Sequence, residues 1–333
     1  MPSNYITVDT INHINAELSN YCNAACPMCA RFDSEQRLIP EITNNQHTTL
    51  DDIKNRIGTR VIQNLKTFRS CGNVGDGTMN PECLEIYEFV KKTNPNTKLS
   101  LNTNGGARNT EFFKAMAKLG VSITFSIDGL QDTNHLYRRN VKWDKVISNA
   151  QSFIDAGGQA SWDFLIFKHN EHQVADAEKL SKQLGFMKFN KKTTTRWNDF
   201  DSEGNWMQRD KIEIDNYSLE KPLQIKSQSV ANQRDVKEQD TSFDKKIVCN
   251  SFTNGNVEIF LHANGNVSPC CWLGDLQLHE PKNIIQDYAT VNIRDRSLAE
   301  ILDSNFFNEI YKGIEGVEQQ YKLQTCQQVC GRC

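Results

Sequence analysis

Several things are missing from this 333-residue chain. No apolar run approaches the roughly 18 residues that a membrane span requires. The opening stretch "MPSNYITVDT" has neither a basic start nor an apolar segment, which argues against secretion and for the cytoplasm. Neither sign of charge dominates: 38 Lys and Arg face 41 Asp and Glu, a formal net charge of −3. Nothing there favours nucleic acid or an anionic membrane surface as a partner. Low-complexity tracts are absent, and the length suits one large domain with a small one beside it.

Cysteine, by contrast, is abundant. Eleven in a chain without a secretion signal, an odd number, speak against a disulfide framework. Nine of them cluster: Cys22, Cys26 and Cys29 near the start, Cys249, Cys270 and Cys271 later, and Cys326, Cys330 and Cys333 at the end. Such grouping points to metal sites in a reducing compartment. Cys71 and Cys83 read as core cysteines.

Residues 1–197 alternate strand-like with helix-like stretches. "HINAELS", "FRSCGNV", "KLSLNTNGG", "VSITFSIDG", "ASWDFLIFKHN" and "MKFNKKTTTRW" have strand character, and helical periods lie between them. The first of these helices, "LDDIKNRIGTRVIQNLKTF", has Thr48 or Thr49 in position to cap it. Six strands with about five helices imply an α/β fold: a parallel sheet with helices packed outside, either open and doubly wound or a partial (β/α)6 barrel. In both, function gathers at the C-terminal ends of the strands, where the cysteine loop, "GNVGDG", "NTNGG", "SIDG" and "FKHNEH" fall. Residues 198–245 are polar and weakly periodic and read as a linker or lid. Residues 246–333 read as a small unit: a β-hairpin turning at "ANGN", an amphipathic helix and a terminal cysteine loop.

Three cysteines spaced C-x3-C-x2-C supply three soft thiolates and no local fourth. They suit a 4Fe–4S cube whose fourth iron stays open to an amine and a carboxylate, such as those of S-adenosylmethionine (SAM). A zinc knuckle with a distant fourth ligand is the competing arrangement. The motif closely resembles that of the radical SAM superfamily, in which it follows the first strand of a TIM-like barrel. Met28 stands where the family often has an aromatic beside the adenine. Gly75 and Asp76 of "GNVGDG" occupy the place of the family's glycine–glycine–glutamate motif, which holds the SAM ammonium, with a shortened carboxylate. Ser126 and Asp128 of "SIDG" resemble a pattern of the branch with C-terminal clusters. Of the arginines in "HLYRR", Arg138 is favoured to face the SAM carboxylate. Asn104, Asn170 and Arg196 are further candidate contacts. In "HNEH", His169 and His172 are expected to cap and hydrogen-bond rather than to bind metal.

The C-terminal unit resembles the twitch and SPASM elements of the same superfamily. Cys249, Gly265 and Cys270 follow C-x15-G-x4-C, and Cys330 with Cys333 adds C-x2-C. The resemblance implies one auxiliary 4Fe–4S cluster on Cys249, Cys270, Cys330 and Cys333, in the shorter twitch form, with Cys271 and Cys326 as spares. A four-cysteine zinc site fits the same spacing.

The resemblance implies an enzyme that cleaves SAM reductively to a 5′-deoxyadenosyl radical. The radical then abstracts a substrate hydrogen, with an external donor such as a flavodoxin or ferredoxin supplying electrons. Relatives in this branch oxidise or cross-link peptides and proteins, and a smaller set dehydrogenates sugar-like alcohols. Only about a dozen residues precede the first strand, which argues against a leader-peptide-binding wing and leaves a protein, a short peptide or a small molecule as substrate. A non-catalytic iron–sulfur electron-transfer protein and a zinc-stabilised binding module are the alternatives.

Overall fold

The structure is a computed structural model. It describes residues 6–33, 36–194, 196–200, 206–208, 210–214, 216–223, 246–252, 255–274, 291–316, 323, 326–327 and 330–332. Six parallel strands follow the expected order: β1 His13–Ala16, β2 Thr67–Ser70, β3 Lys98–Thr103, β4 Val121–Ser126, β5 Gln159–Leu165 and β6 Lys188–Lys192. The helices between them include α1 Thr59–Asn64, α2 Cys83–Thr93, α3 Thr110–Lys118, α4 Asn134–Tyr137, α5 Trp143–Asp155 and α6 Val174–Leu184. Ahead of α1 the chain winds as a wider π-helix over Asp52–Gly58. Thr49 caps this helical stretch: its Oγ1 accepts the Asp52 N–H at 3.0 Å, and Asp52 Oδ2 accepts the Thr49 N–H at 2.8 Å.

Side-chain alternation divides the sheet into two unlike faces. Ile14, Ala16, Phe68, Leu99, Leu101, Ile123, Phe125, Trp162 and Phe164 are buried, and they form the core with Phe113, Phe153 and other helix residues. The opposite face carries His13, Asn15, Arg69, Asn102, Thr124, Ser126, Asp163 and Asn190. Most of these are half-buried, so the sheet presents a polar concave surface of the kind an incomplete barrel leaves open.

The C-terminal unit does not stand apart from this sheet. Strand β12 (Glu258–Leu261) pairs in parallel with β1, His13 opposite Glu258 and Ala16 opposite Leu261. Strand β13 (Val267–Ser268) returns antiparallel on β12, so one eight-stranded sheet runs β13-β12-β1-β2-β3-β4-β5-β6. Arg69 on β2 reaches across to Glu258, its Nη2 donating to both carboxylate oxygens at 2.8 and 2.6 Å. The expected hairpin is present, but it extends the barrel.

The stretch read as a linker also holds structure. Strands β7 (Asn198–Phe200) and β8 (Trp206–Gln208) pair antiparallel, as do β9 (Lys211–Ile214) and β10 (Tyr217–Glu220). The second pair docks on the barrel: Ile214 and Leu219 are buried, the Lys168 N–H donates to Glu220 O at 3.1 Å, and Tyr217 donates its hydroxyl to Leu136 O. The rest of the segment, 224–245, lies outside the described residues. Further on, β11 (Lys246–Ile247) pairs antiparallel with β14 (Gly331–Arg332), and α8 (Leu298–Leu302) and α9 (Asn305–Glu315) cover the C-terminal unit. Among the described residues, no helix is long and apolar enough to cross a membrane.

Candidate active site

The loop that follows β1 is shaped from within by Arg31, a buried side chain whose Nη1 donates to Cys22 O at 3.1 Å and Ala24 O at 3.4 Å. Cys26 lies buried, Cys22 and Cys29 half-buried, and none of the three is in a disulfide. Cys29 closes a turn on Cys26 O (3.0 Å), and the Ala25 N–H ties the loop to Arg139 O (3.1 Å). Burial, the charge of Asp76 and that of Cys26 push the Cys22 thiol up to about 12. Burial pushes Cys26 up to about 11, although Arg138 opposes it. Left with their protons these thiols are inert, and a bound metal would have to replace the proton.

Donors are aimed at the sulfurs. Asn104 Nδ2 lies 3.5 Å from Cys22 Sγ, and Arg138 Nη1 lies 3.5 Å from Cys26 Sγ. Three soft thiols on one loop, with an amide and a guanidinium turned toward them, match the donor chemistry of an iron–sulfur cluster, whose charge such hydrogen bonds tune. Among the described residues, no three His, Cys, Asp or Glu side chains converge closely enough to grip a single metal ion. A cube that spreads its ligands over separate irons makes no such demand.

Met28 is buried, and its carbonyl accepts from Arg196 Nη1 at 2.9 Å. Gly75 sits where nothing larger fits: a Cβ there would come within 1.8 Å of Ser19 O. Asp76, beside it, is buried and fully engaged. Oδ1 accepts from Thr78 N (3.0 Å), Thr78 Oγ1 (2.6 Å) and Thr103 Oγ1 (3.0 Å); Oδ2 accepts from Thr103 Oγ1 (2.9 Å), Asn104 N (2.9 Å) and Asn104 Nδ2 (2.8 Å). A direct bond from a SAM ammonium, expected from the sequence, would displace one of these. Asp76 serves as the internal anchor of its loop and holds Asn104 over Cys22.

Asp128 is likewise turned inward. Its Oδ2 accepts from Arg138 Nε at 2.6 Å and its Oδ1 from Leu165 N at 2.6 Å, so it orients Arg138. Burial alone would push the Arg138 guanidinium down, but the charge of Asp128 outweighs it and raises it well above its ordinary value. Asn170, wholly buried, spends its amide on the backbone: Nδ2 donates to Asp128 O (2.9 Å) and Leu165 O (3.0 Å), and Oδ1 accepts from Phe167 N (2.7 Å). Its part is to brace the loop after β5. Ser126 is half-buried at the end of β4 on the polar face. His169 does not cap or hydrogen-bond as expected. Both ring nitrogens are buried without a partner, the ring stacks on Phe167 at 5.5 Å, and burial followed by the nearby His172 and His135 lowers it to about 4.

No sequence motif singles out Glu17 or Asn73, yet both shape the site. Glu17, 3 % exposed, accepts from Asn73 N at 2.6 Å and Gly75 N at 3.0 Å and so fixes the glycine loop against β1. The signal was strand alternation, which puts Glu17 on the polar face with His13 and Asn15.

The C-terminal cysteines also gather. A hydrogen bond with Cys330, then burial and the charge of Cys270, raise Cys249. Burial, then Cys271 and Cys326, raise Cys270 well above the ordinary thiol value. The Val248 N–H donates to Cys330 O at 2.9 Å, beside the β11–β14 pair, so the terminus is tied to the residues that precede Cys249. Cys333 lies outside the described residues.

Two family models match. Residues 16–180 match the radical SAM superfamily, and residues 249–333 match SPASM, an iron–sulfur cluster-binding domain. The chain belongs to the radical SAM superfamily. Its cofactors are SAM, a 4Fe–4S cluster and, in the SPASM-like unit, auxiliary iron–sulfur. No curated protein matches the radical SAM chain in sequence. In structure it is similar to Streptococcus suis SuiB bound to S-adenosylmethionine, with TM-score 0.60 and 13 % identity over 98 % of this chain and 73 % of that one. SuiB bound to the precursor peptide SuiA gives TM-score 0.57 and 13 % identity over 91 % and 67 %. Native anSMEcpe with bound AdoMet and the Cp18Cys peptide gives TM-score 0.56 and 16 % identity over 96 % and 88 %. At such identities the likeness establishes a common fold.

Proposed function

We propose that this radical SAM chain oxidises or otherwise modifies a peptide or protein by hydrogen abstraction. The observation that carries the reading is the Cys22–Cys26–Cys29 loop, with Asn104 and Arg138 turned toward its sulfurs, at the end of a half-open polar sheet. When bound, the reduced cluster and SAM supply the 5′-deoxyadenosyl radical, with electrons from an external donor such as a flavodoxin or ferredoxin. The chain's residues do the rest. Cys22, Cys26 and Cys29 hold the cluster. Buried Met28 offers an apolar, polarizable surface to the adenine. The Gly75–Asp76 loop, with Asn104, shapes the ammonium end, Arg138 meets the carboxylate, and Ser126 lines the approach from the concave face.

A peptide substrate is supported by the relatives whose structures hold peptides, SuiB with SuiA and anSMEcpe with Cp18Cys. The concave face agrees: Asn102, Thr124, Asp163 and Asn190 offer donors and acceptors suited to a peptide backbone. In the C-terminal unit, Cys249, Cys270, Cys330 and Cys333 hold one auxiliary 4Fe–4S cluster, which takes up an electron or binds the substrate. Six cysteines in this region are too few for two fully ligated cubes.

The test is anaerobic reconstitution followed by assay of 5′-deoxyadenosine with peptide pools or cell extract. The triple variant Cys22→Ala, Cys26→Ala, Cys29→Ala is expected to lose SAM cleavage. Unchanged cleavage refutes the radical site. The double variant Cys330→Ala, Cys333→Ala is expected to lose the C-terminal iron and substrate turnover while still cleaving SAM. Retention of full iron content would pass the ligand roles to Cys271 and Cys326.

A further inference from the structure

The loop between β2 and α2 faces both cysteine sites. Toward the radical site, Asp76 holds Asn104 over Cys22. Toward the C-terminal unit, Asn73 Nδ2 donates to Cys271 O at 2.9 Å. Cys271 opens the short helix α7 (Cys271–Gly274), which folds back on the preceding residue: Leu273 N and Gly274 N donate to Cys270 O at 3.2 and 3.0 Å. The turn that carries Cys270 is thus a closed unit, and the Asn73 hydrogen bond ties it to the barrel loop.

The other end of this contact is rigid. The two Glu17 oxygens take the N–H groups of Asn73 and Gly75, the Asp76 N–H donates to Tyr21 O at 3.0 Å, and Glu17 itself is buried in β1's polar row. Gly72 has φ +65°, and a Cβ there would come within 2.5 Å of Gly75 O, so the loop is folded tightly on itself. A side chain mounted on so fixed a backbone is pre-organised, and its hydrogen bond defines a position.

We infer that Asn73 is a positioning residue that sets the separation between the radical site and the auxiliary site by pinning the turn of Cys270. The inference rests on the reading of both cysteine sets as cluster ligands. Asn73 acts through the backbone of Cys271, and a displacement of about 1 Å in such an arrangement can cost on the order of 100-fold in rate.

The experiment uses the reconstituted full chain and begins with metal analysis of the wild type. Zinc, or no metal, at the C-terminal cysteines overturns the cluster reading together with the inference. With iron at both sites, pulsed electron paramagnetic resonance of the reduced protein measures the distance between clusters. Asn73→Asp replaces the donor with an acceptor of nearly equal shape, and Asn73→Leu removes hydrogen bonding while keeping a side chain branched at Cγ. Both are expected to keep their iron and their fold, to broaden or shift the inter-cluster distance by at least about 1 Å, and to release about tenfold more 5′-deoxyadenosine per product formed. A wild-type distance distribution and a wild-type ratio in both variants overturn the inference. So does loss of the fold in both, because one partly exposed hydrogen bond that merely positions a turn does not hold a protein together.

Discussion

Arg294, in the C-terminal unit, forks onto Asp52 at the start of the first barrel helix, Nε to Oδ1 at 3.0 Å and Nη2 to Oδ2 at 2.7 Å. Burial alone would push Asp52 up, but the hydrogen bonds from Arg294 and Thr49 outweigh it and hold the carboxyl below its ordinary range. A depressed acid contributes stability above its unfolded value of about 3.9, and that contribution fades as pH falls through the folded value. Asp52→Asn should therefore cost about 2 kcal/mol at pH 7, below the fully buried range because Arg294 is 37 % exposed. The deficit should shrink as pH drops below about 4. Urea unfolding of wild type and variant across pH 3–7 measures it, and a pH-independent difference would exclude the pair as its source.

The Arg138–Asp128 pair is buried more deeply, with Asp128 1 % and Arg138 19 % exposed. Arg138→Ala leaves a carboxylate without its countercharge and should destabilise by about 3–5 kcal/mol. The double variant Arg138→Leu, Asp128→Asn should recover most of that stability and still lack the donor to Cys26. Chemical denaturation separates the two effects from SAM binding. If the single and double variants are equally unstable, the pair does not carry the cost.

Gly75→Ala places a methyl against main-chain atoms, 1.8 Å from Ser19 O and 2.7 Å from Ser19 C, which cannot swing aside as a side chain can. The loop must move, taking the Asp76 anchor with it. SAM affinity, measured by equilibrium binding to the reconstituted protein, should fall by more than about tenfold, or roughly 1.4 kcal/mol. Wild-type affinity in this variant would show that the loop does not frame the SAM site.

Much of this was legible from local pattern. The six βα units read correctly because alternation in "SITFSID" and helical spacing in "EIYEFVKKT" are short-range signals that burial then reinforces. The place of β12 was not legible, because its parallel partner β1 lies far away in sequence and "EIFL" alone reads as one arm of a hairpin. Its three consecutive buried residues, Ile259, Phe260 and Leu261, carry the mark of an interior strand. The pair Lys211–Ile214 and Tyr217–Glu220 has no clear sequence signal, because two four-residue strands barely rise above a polar background. Side-chain roles were the least legible. The residue type of Asp76 suggests a ligand for the SAM ammonium, while its six contacts with Thr78, Thr103 and Asn104 appear only in the folded chain, which brings those donors together.

The pairing of β1 with β12 has a consequence for synthesis. At a translation rate of roughly 5–20 residues per second, β1 leaves the ribosome roughly 12–50 s before the strand that covers its outer edge. Through that interval a row of backbone donors and acceptors from His13 to Ala16 stands ready to recruit any extended segment that passes. A chain that stops before residue 258 never closes that edge, so a barrel expressed alone should aggregate where the full-length protein does not. The C-terminal unit thereby acts as a late seal on β1.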